Sequence, residues 1–240
     1  MTHPFSRRLF YCLLLGLLLL QAGLGVAASL QAEPVVLTAS TQKVPLGTRL
    51  EYRIDDNNNQ ALDTAMAWTD WQANLSGNAP NFHFSHSTVW LRFSFTTHDI
   101  PENWVLDVAN PQLDRVDLYL LEKNAGQTSP ILIKQLADGD TLDASQRAPS
   151  ERTLNFPLHL KADTEYVVYL STHSNTTLLL PITLWQERAF LQSELYIHTM
   201  LTVSFGCLAG LMLYNLVLGF FTRDASYFFY SHYVLAVIFF

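Results

Sequence analysis

Between Glu194 and Arg223 the chain carries no charged residue, and Leu195 to Thr222 reads LYIHTMLTVSFGCLAGLMLYNLVLGFFT. A helix rising ~1.5 Å per residue over that stretch is roughly 40 Å long, enough to cross the ~30 Å hydrocarbon core of a bilayer. Apolar runs buried in soluble proteins usually stop at about 10–14 residues. The stretch is therefore read as a membrane span over residues 198–221, entered from a helical connector over 187–197. After the polar break Thr222-Arg223-Asp224-Ala225-Ser226, a second apolar run starts at Tyr227 and continues to Phe240. Residues 227–240 are read as the start of a second span, with the chain expected to continue beyond it.

The amino terminus carries a different kind of apolar run. Arg7 and Arg8 precede Leu9–Leu20, and Val26-Ala27-Ala28 places small residues where a leader is cleaved. That is the pattern of a signal peptide over residues 1–28, its apolar core too short for a good span. Residues 29–197 are then expected outside the cytoplasmic membrane and the 222–226 loop inside. Arg223, cancelled by Asp224, adds little from the positive-inside rule. The formal net charge is −7, and the exported part, without Arg7, Arg8, Arg223 and Asp224, stands at −9. An acidic surface disfavours nucleic acid. The only two cysteines, Cys12 and Cys207, fall in apolar segments, so the exported part can form neither a disulfide framework nor a thiolate metal site. Disulfide-free export favours a bacterial periplasm.

From residue 33 to 186 the signals are those of strands. The clearest alternation is Thr88-Val89-Trp90-Leu91-Arg92-Phe93-Ser94-Phe95-Thr96, with Val89, Leu91, Phe93 and Phe95 on one face. Further strands are predicted at 35–39, 49–54, 104–109, 115–121, 131–136, 152–160, 166–172 and 178–185. Turn residues such as Asn110-Pro111 and Asp138-Gly139-Asp140 separate them. A short helix is predicted over 60–67, before Trp68 and Trp71. Short strands without crossover helices give a mainly β protein, an antiparallel jelly-roll-like sandwich followed by transmembrane helices.

No phosphate-binding glycine loop, His-Glu-x-x-His or Gly-x-Ser-x-Gly occurs in the sequence. Asp55-x-Asn57-x-Asn59 imitates the start of a calcium loop, but Gln60 and Met66 stand where glycine and a bidentate glutamate are needed. No catalytic residue, metal site or cofactor is expected. If the alternating apolar residues of 89–95, 116–120 and 154–160 make the core, the opposite faces carry Trp90, Arg92, Arg115, Asp117, Tyr119, Asn155 and His159, with Asp107 nearby. Rings beside planar polar groups suit a small ligand, saccharide-like or anionic. The alternative is an outer sheet face covered by a loop, with Arg92 paired to a carboxylate such as Asp107 or Asp117. Within the span, Gly206-x-x-x-Gly210 permits close helix approach and Asn215 needs a hydrogen-bond partner away from lipid. Dimerisation through this face is one reading; packing within a multi-helix bundle is the other.

The run Phe205-Gly206-Cys207-Leu208-Ala209-Gly210-Leu211-Met212-Leu213-Tyr214-Asn215-Leu216, followed by Thr222-Arg223-Asp224-Ala225-Ser226-Tyr227, resembles the opening of the seven-transmembrane region in bacterial receptors with diverse intracellular signalling modules. The upstream pieces Thr88-Val89-Trp90-Leu91-Arg92-Phe93, Trp104-Val105-Leu106-Asp107-Val108, Asn110–Tyr119 and Arg152 with Phe156-Pro157-Leu158 resemble the sensor domain that precedes it. The resemblance implies a carbohydrate-binding-like jelly roll, seven helices and a cytoplasmic output module such as a diguanylate cyclase, histidine kinase or phosphatase. A receptor is thus the leading reading. A membrane-tethered carbohydrate-active enzyme and a protein-binding adaptor are the alternatives; the enzyme would need a close carboxylate pair in a cleft.

Overall fold

The computed structural model describes residues 35–58, 61–74, 79–123, 129–142 and 153–239. The leader assigned to residues 1–28 lies outside them. Among the described residues, thirteen strands and one short α-helix precede two longer helices: β1 (Val35–Thr38), β2 (Lys43–Pro45), β3 (Glu51–Asp55), α1 (Leu62–Ala67), β4 (Gln72–Ala73), β5 (Asn81–Phe84), β6 (Thr88–His98), β7 (Asn103–Val108), β8 (Arg115–Lys123), β9 (Ile131–Asp138), β10 (Leu154–His159), β11 (Glu165–His173), β12 (Thr177–Leu179), β13 (Ile182–Gln186), α2 (Glu187–Thr222) and α3 (Ala225–Phe239).

The alternating strands do what their period requires. Val89, Leu91, Phe93 and Phe95 of β6, Val116, Leu118 and Leu120 of β8, and Leu154, Phe156, Leu158 and Leu160 are all buried in one core. Two sheets enclose it. The larger runs β4-β3-β6-β11-β8-β9, and the smaller β10-β7-β13-β2; β5 and β12 form a separate ribbon. Pairing is antiparallel except where β1 runs parallel to β6, from Val35 opposite Phe95 to Thr38 opposite His98. β3 takes the first half of the same edge of β6, from Asp55 opposite Thr88 to Glu51 opposite Arg92. Pro157 sits in β10 without disrupting a ladder because β10 is an edge strand, where a missing N–H can face outward.

The predicted last strand, 178–185, is two strands: β12 pairs with β5, while β13 lies in the small sheet between β7 and β2. Pro181 separates them. β13 then passes into α2 without a linker, Gln186 being both its last residue and the cap of the helix. The connector and the span are one continuous helix, and α2 is long and apolar enough to cross a membrane.

Polar side chains in α2 close on their own helix. Thr199, Thr202, Ser204 and Thr222 hydroxyls donate to carbonyls four residues back, and Asn215 Nδ2 donates to the Leu211 carbonyl at 2.8 Å. This meets the demand that no polar group remain unsatisfied in hydrocarbon. The α2–α3 hairpin closes at a glycine that the sequence reading did not select. A Cβ at Gly206 or Gly210 would meet nothing within 4 Å, whereas one at Gly219 would lie 2.9 Å from the Phe228 ring. Ser231 also reaches across to the Met212 carbonyl, at 3.3 Å. Arg223, in left-handed backbone, ends α2, and Asp224 accepts the Ser226 N–H at the start of α3.

Candidate functional site

The outer face of the large sheet follows from its register. One row across it reads Arg53, Trp90, Ser171, Asp117, Ala137; the next reads Glu51, Arg92, Tyr169, Tyr119, Gln135. Over the centre of these rows lies α1. Its Ala65 is fully buried, and Leu62, Met66, Trp68 and Trp71 pack with it against Trp90, Tyr169 and Leu121. Trp90 is 1% exposed. It stacks on Tyr119 with centroids 5.8 Å apart and receives Trp68 edge-on at 6.1 Å. Trp71 meets Tyr169 at 5.8 Å.

Two arginines fasten this cover from the side. The Arg92 guanidinium lies 4.6 Å from the Trp71 ring centre and donates through Nε to Glu51 at 2.5 Å. Arg53 lies 4.2 Å from the Trp68 ring and pairs with Asp70. The expected carboxylate partners of Arg92, Asp107 or Asp117, are both replaced by Glu51. Asp107 is on the other sheet, and Asp117 is two strands away across β11, whereas Glu51 stands directly opposite on β3.

Beyond the aromatic cover, at the end of the same face, a cleft of about 250 Å³ opens between Asn58, Thr88, Arg115, Asp117, Ser171 and His173. The turn after β3 forms one wall. Asp55 accepts the Asn57 N–H, Asn58 Oδ1 accepts the Thr88 N–H at 2.5 Å, and Asn58 Nδ2 donates to the His86 carbonyl. The Asp55 turn is thus built from hydrogen bonds within the chain, and among the described residues no acidic or histidine cluster could hold a metal. Arg115 makes two 2.8 Å bonds to Asp117, a pair that cancels its charge while leaving the guanidinium half-exposed. His173 brings a buried Nδ1 with no partner. Burial, then the neighbouring Asp117, raises the pKa of Tyr119, so its hydroxyl stays protonated beside the cleft.

The eight candidate ligand residues suggested by the sequence therefore separate. Trp90, Arg92, Arg115, Asp117 and Tyr119 share the large sheet, with Trp90, Arg92 and Tyr119 within the aromatic cover and Arg115 and Asp117 in the cleft. Asp107 and Asn155 lie opposite each other on β7 and β10 of the small sheet. His159, at the end of β10, bonds the Asn103 side chain at 2.9 Å. Asn58, Thr88, Ser171 and His173 were not singled out by sequence; only the pairing of β3, β6, β11 and β8 brings them together.

The model of the 7TMR-DISM extracellular 2 family matches residues 47–186, from the turn before β3 to the end of β13. The chain belongs to that family. Among curated proteins none matches it. The family match covers the sandwich around the cleft and ends where α2 begins. A 7TMR-DISM extracellular domain joined directly to a helix long enough to cross a membrane makes this a membrane protein with a segment outside, of the signalling-receptor type.

Proposed function

We propose that the chain is the sensory part of a bacterial inner-membrane receptor, residues 29–197 lying in the periplasm. Its cleft binds a small polyhydroxylated, carbohydrate-like ligand. The seven-helix region that α2 opens passes the signal to a cytoplasmic output module, such as a diguanylate cyclase or histidine kinase. The observation that carries this reading is the direct passage of β13 into α2: a shift of the sheets on ligand binding has no flexible linker in which to be lost. Such a shift transmits a signal only if the ligand prefers one arrangement over the other.

The cleft chemistry favours hydroxyls over a free anion. Arg115 is already neutralised by Asp117, whose own carboxylate would repel an anion. The amide, hydroxyls, imidazole and Arg115–Asp117 pair offer both donors and acceptors. With a panel of neutral and acidic sugars and amino acids titrated into the chain in detergent, a neutral sugar should bind. His173→Ala and Ser171→Ala should each weaken that sugar about tenfold, or roughly 1.4 kcal/mol, without changing the melting temperature. Equal binding by parent and variants would remove the cleft from the reading.

Topology is tested separately. A periplasm-dependent reporter fused after Trp185 should be active and a cytoplasm-dependent one silent there, with the reverse after Asp224. The opposite pattern sinks the assignment of sides.

A further inference from the structure

On β7, Trp104, Leu106 and Val108 enter the core, so Asn103, Val105 and Asp107 point to the outer face of the small sheet. An outer face is ordinarily wet, yet Asp107 is only 9% exposed and Asn155, directly opposite on β10, only 7%. The first turns of α2 pack against β7 and β13. Phe190 meets the Trp185 ring edge-on at 6.2 Å, and Lys43 Nζ lies 4.4 Å from the centre of the same ring.

Three buried polar atoms in this region have no hydrogen-bond partner: Asp107 Oδ1, Asn155 Nδ2 and Trp185 Nε1. Asn155 Oδ1 is already occupied by the Thr153 hydroxyl at 3.2 Å. A buried carboxylate that lacks a bond to one oxygen is expensive as an anion and much less so as a neutral acid.

We infer that Asp107 is a proton-linked latch, its neutral carboxyl holding the first turns of α2 on the sandwich and its ionised form loosening them. The groups around it come from every adjoining element. β2 supplies Lys43, which favours the anion; α2 supplies Glu194, which opposes it. β10 supplies Asn155, with Thr153 just before the strand, and β13 supplies Thr183 and Trp185. Burial is the largest influence and raises the Asp107 pKa; the Thr153 hydroxyl, the Lys43 charge and the Trp185 indole dipole, close enough to act on the carboxylate without closing a well-formed bond to Oδ1, offset part of it, and Glu194 adds to it.

The sign follows from linkage. A docked state that raises a carboxyl's pKa holds the proton more tightly than an undocked one. Docking is therefore fully favoured below the undocked pKa and is lost as pH rises through the higher docked value. The latch uses the transmission role proposed for α2 but is independent of what the cleft binds, so an acidified exterior would tighten the sandwich–helix joint with the cleft empty.

The test is hydrogen exchange of the amides of 187–198 in the whole chain in lipid nanodiscs, from about pH 4 to about pH 8, with each rate divided by its intrinsic rate. For each unit by which docking raises the pKa, normalised exchange should climb about tenfold across the window. Asp107→Asn, a neutral isostere, should hold these amides at the protected level throughout. Glu194→Gln should keep the transition and move its midpoint to lower pH, because one source of repulsion is gone. A flat parental profile, or the same climb in Asp107→Asn, would overturn the latch. Loss of ligand binding in the cleft variants would leave it standing.

Discussion

Trp90→Ala should lower the stability of the sandwich by about 3–5 kcal/mol, the range of large aromatic truncations in packed cores. Trp90 occupies the middle of the large sheet, 1% exposed, between the stacked Tyr119 and the edge of Trp68. Its removal opens a space that α1 cannot close without shifting Trp68 and Trp71, and with them the rings on which Arg53 and Arg92 rest. Trp90→Phe should recover most of the loss, since the indole N–H has no acceptor whose loss would add to the cost. Denaturant unfolding followed by near-ultraviolet circular dichroism measures both. An alanine variant that unfolds with the parent would mean that α1 does not pack on this face. Arg92→Lys should cost less: the charge opposite Glu51 stays while the planar group over Trp71 is lost.

The same residue shows how far the sequence could be read. Alternation in β6, β8 and β10 assigns the core face correctly because a period of two is a local property. Whether the outer face is open or covered depends on where the Leu62–Trp71 segment lands. Its apolar residues Leu62, Ala65 and Met66 fall at helical spacing, and that was the available signal that it needed a surface to cover. The partner of Arg92 was not legible. It depends on the register of β3 against β6, which no residue near either strand encodes alone.

The cleft was less legible again, since Asn58, Thr88, Ser171 and His173 are ordinary residues until four chain segments meet. In the membrane, the Gly206–Gly210 spacing is easy to see, but spacing does not say which side of a helix its neighbour takes. The contact with α3 falls on Gly219, against Phe228, and leaves the Gly206–Gly210 face open. The parallel pairing of β1 with β6 joins residues about sixty apart and leaves no local trace.

The second large effect is expected at a turn. Gly139, between Asp138 and Asp140 after β9, has φ of +152°, a backbone conformation that side chains other than glycine's rarely adopt. A Cβ there would stand 2.3 Å from the Asp114 carbonyl oxygen and 2.7 Å from Arg115 Cα. Both obstacles are backbone, so no rotamer change relieves them. The segment that must yield is heavily tied: Asp140 N donates to the Leu113 carbonyl at 3.0 Å, and both Thr141 N and its hydroxyl donate to that of Asp114. The Asp114 carboxylate in turn accepts from the backbone and side chain of Asn175. Gly139→Ala should therefore cost about 3 kcal/mol, combining backbone strain with overpacking. It should also displace the start of β8 and with it Arg115 in the cleft, so sugar binding should weaken even in the fraction that stays folded. Gly206→Ala is the matched control, because a Cβ there meets nothing within 4 Å. Thermal unfolding of the two variants beside the parent decides the matter: Gly139→Ala melting with the parent would show that the β8 entrance is not held by this turn.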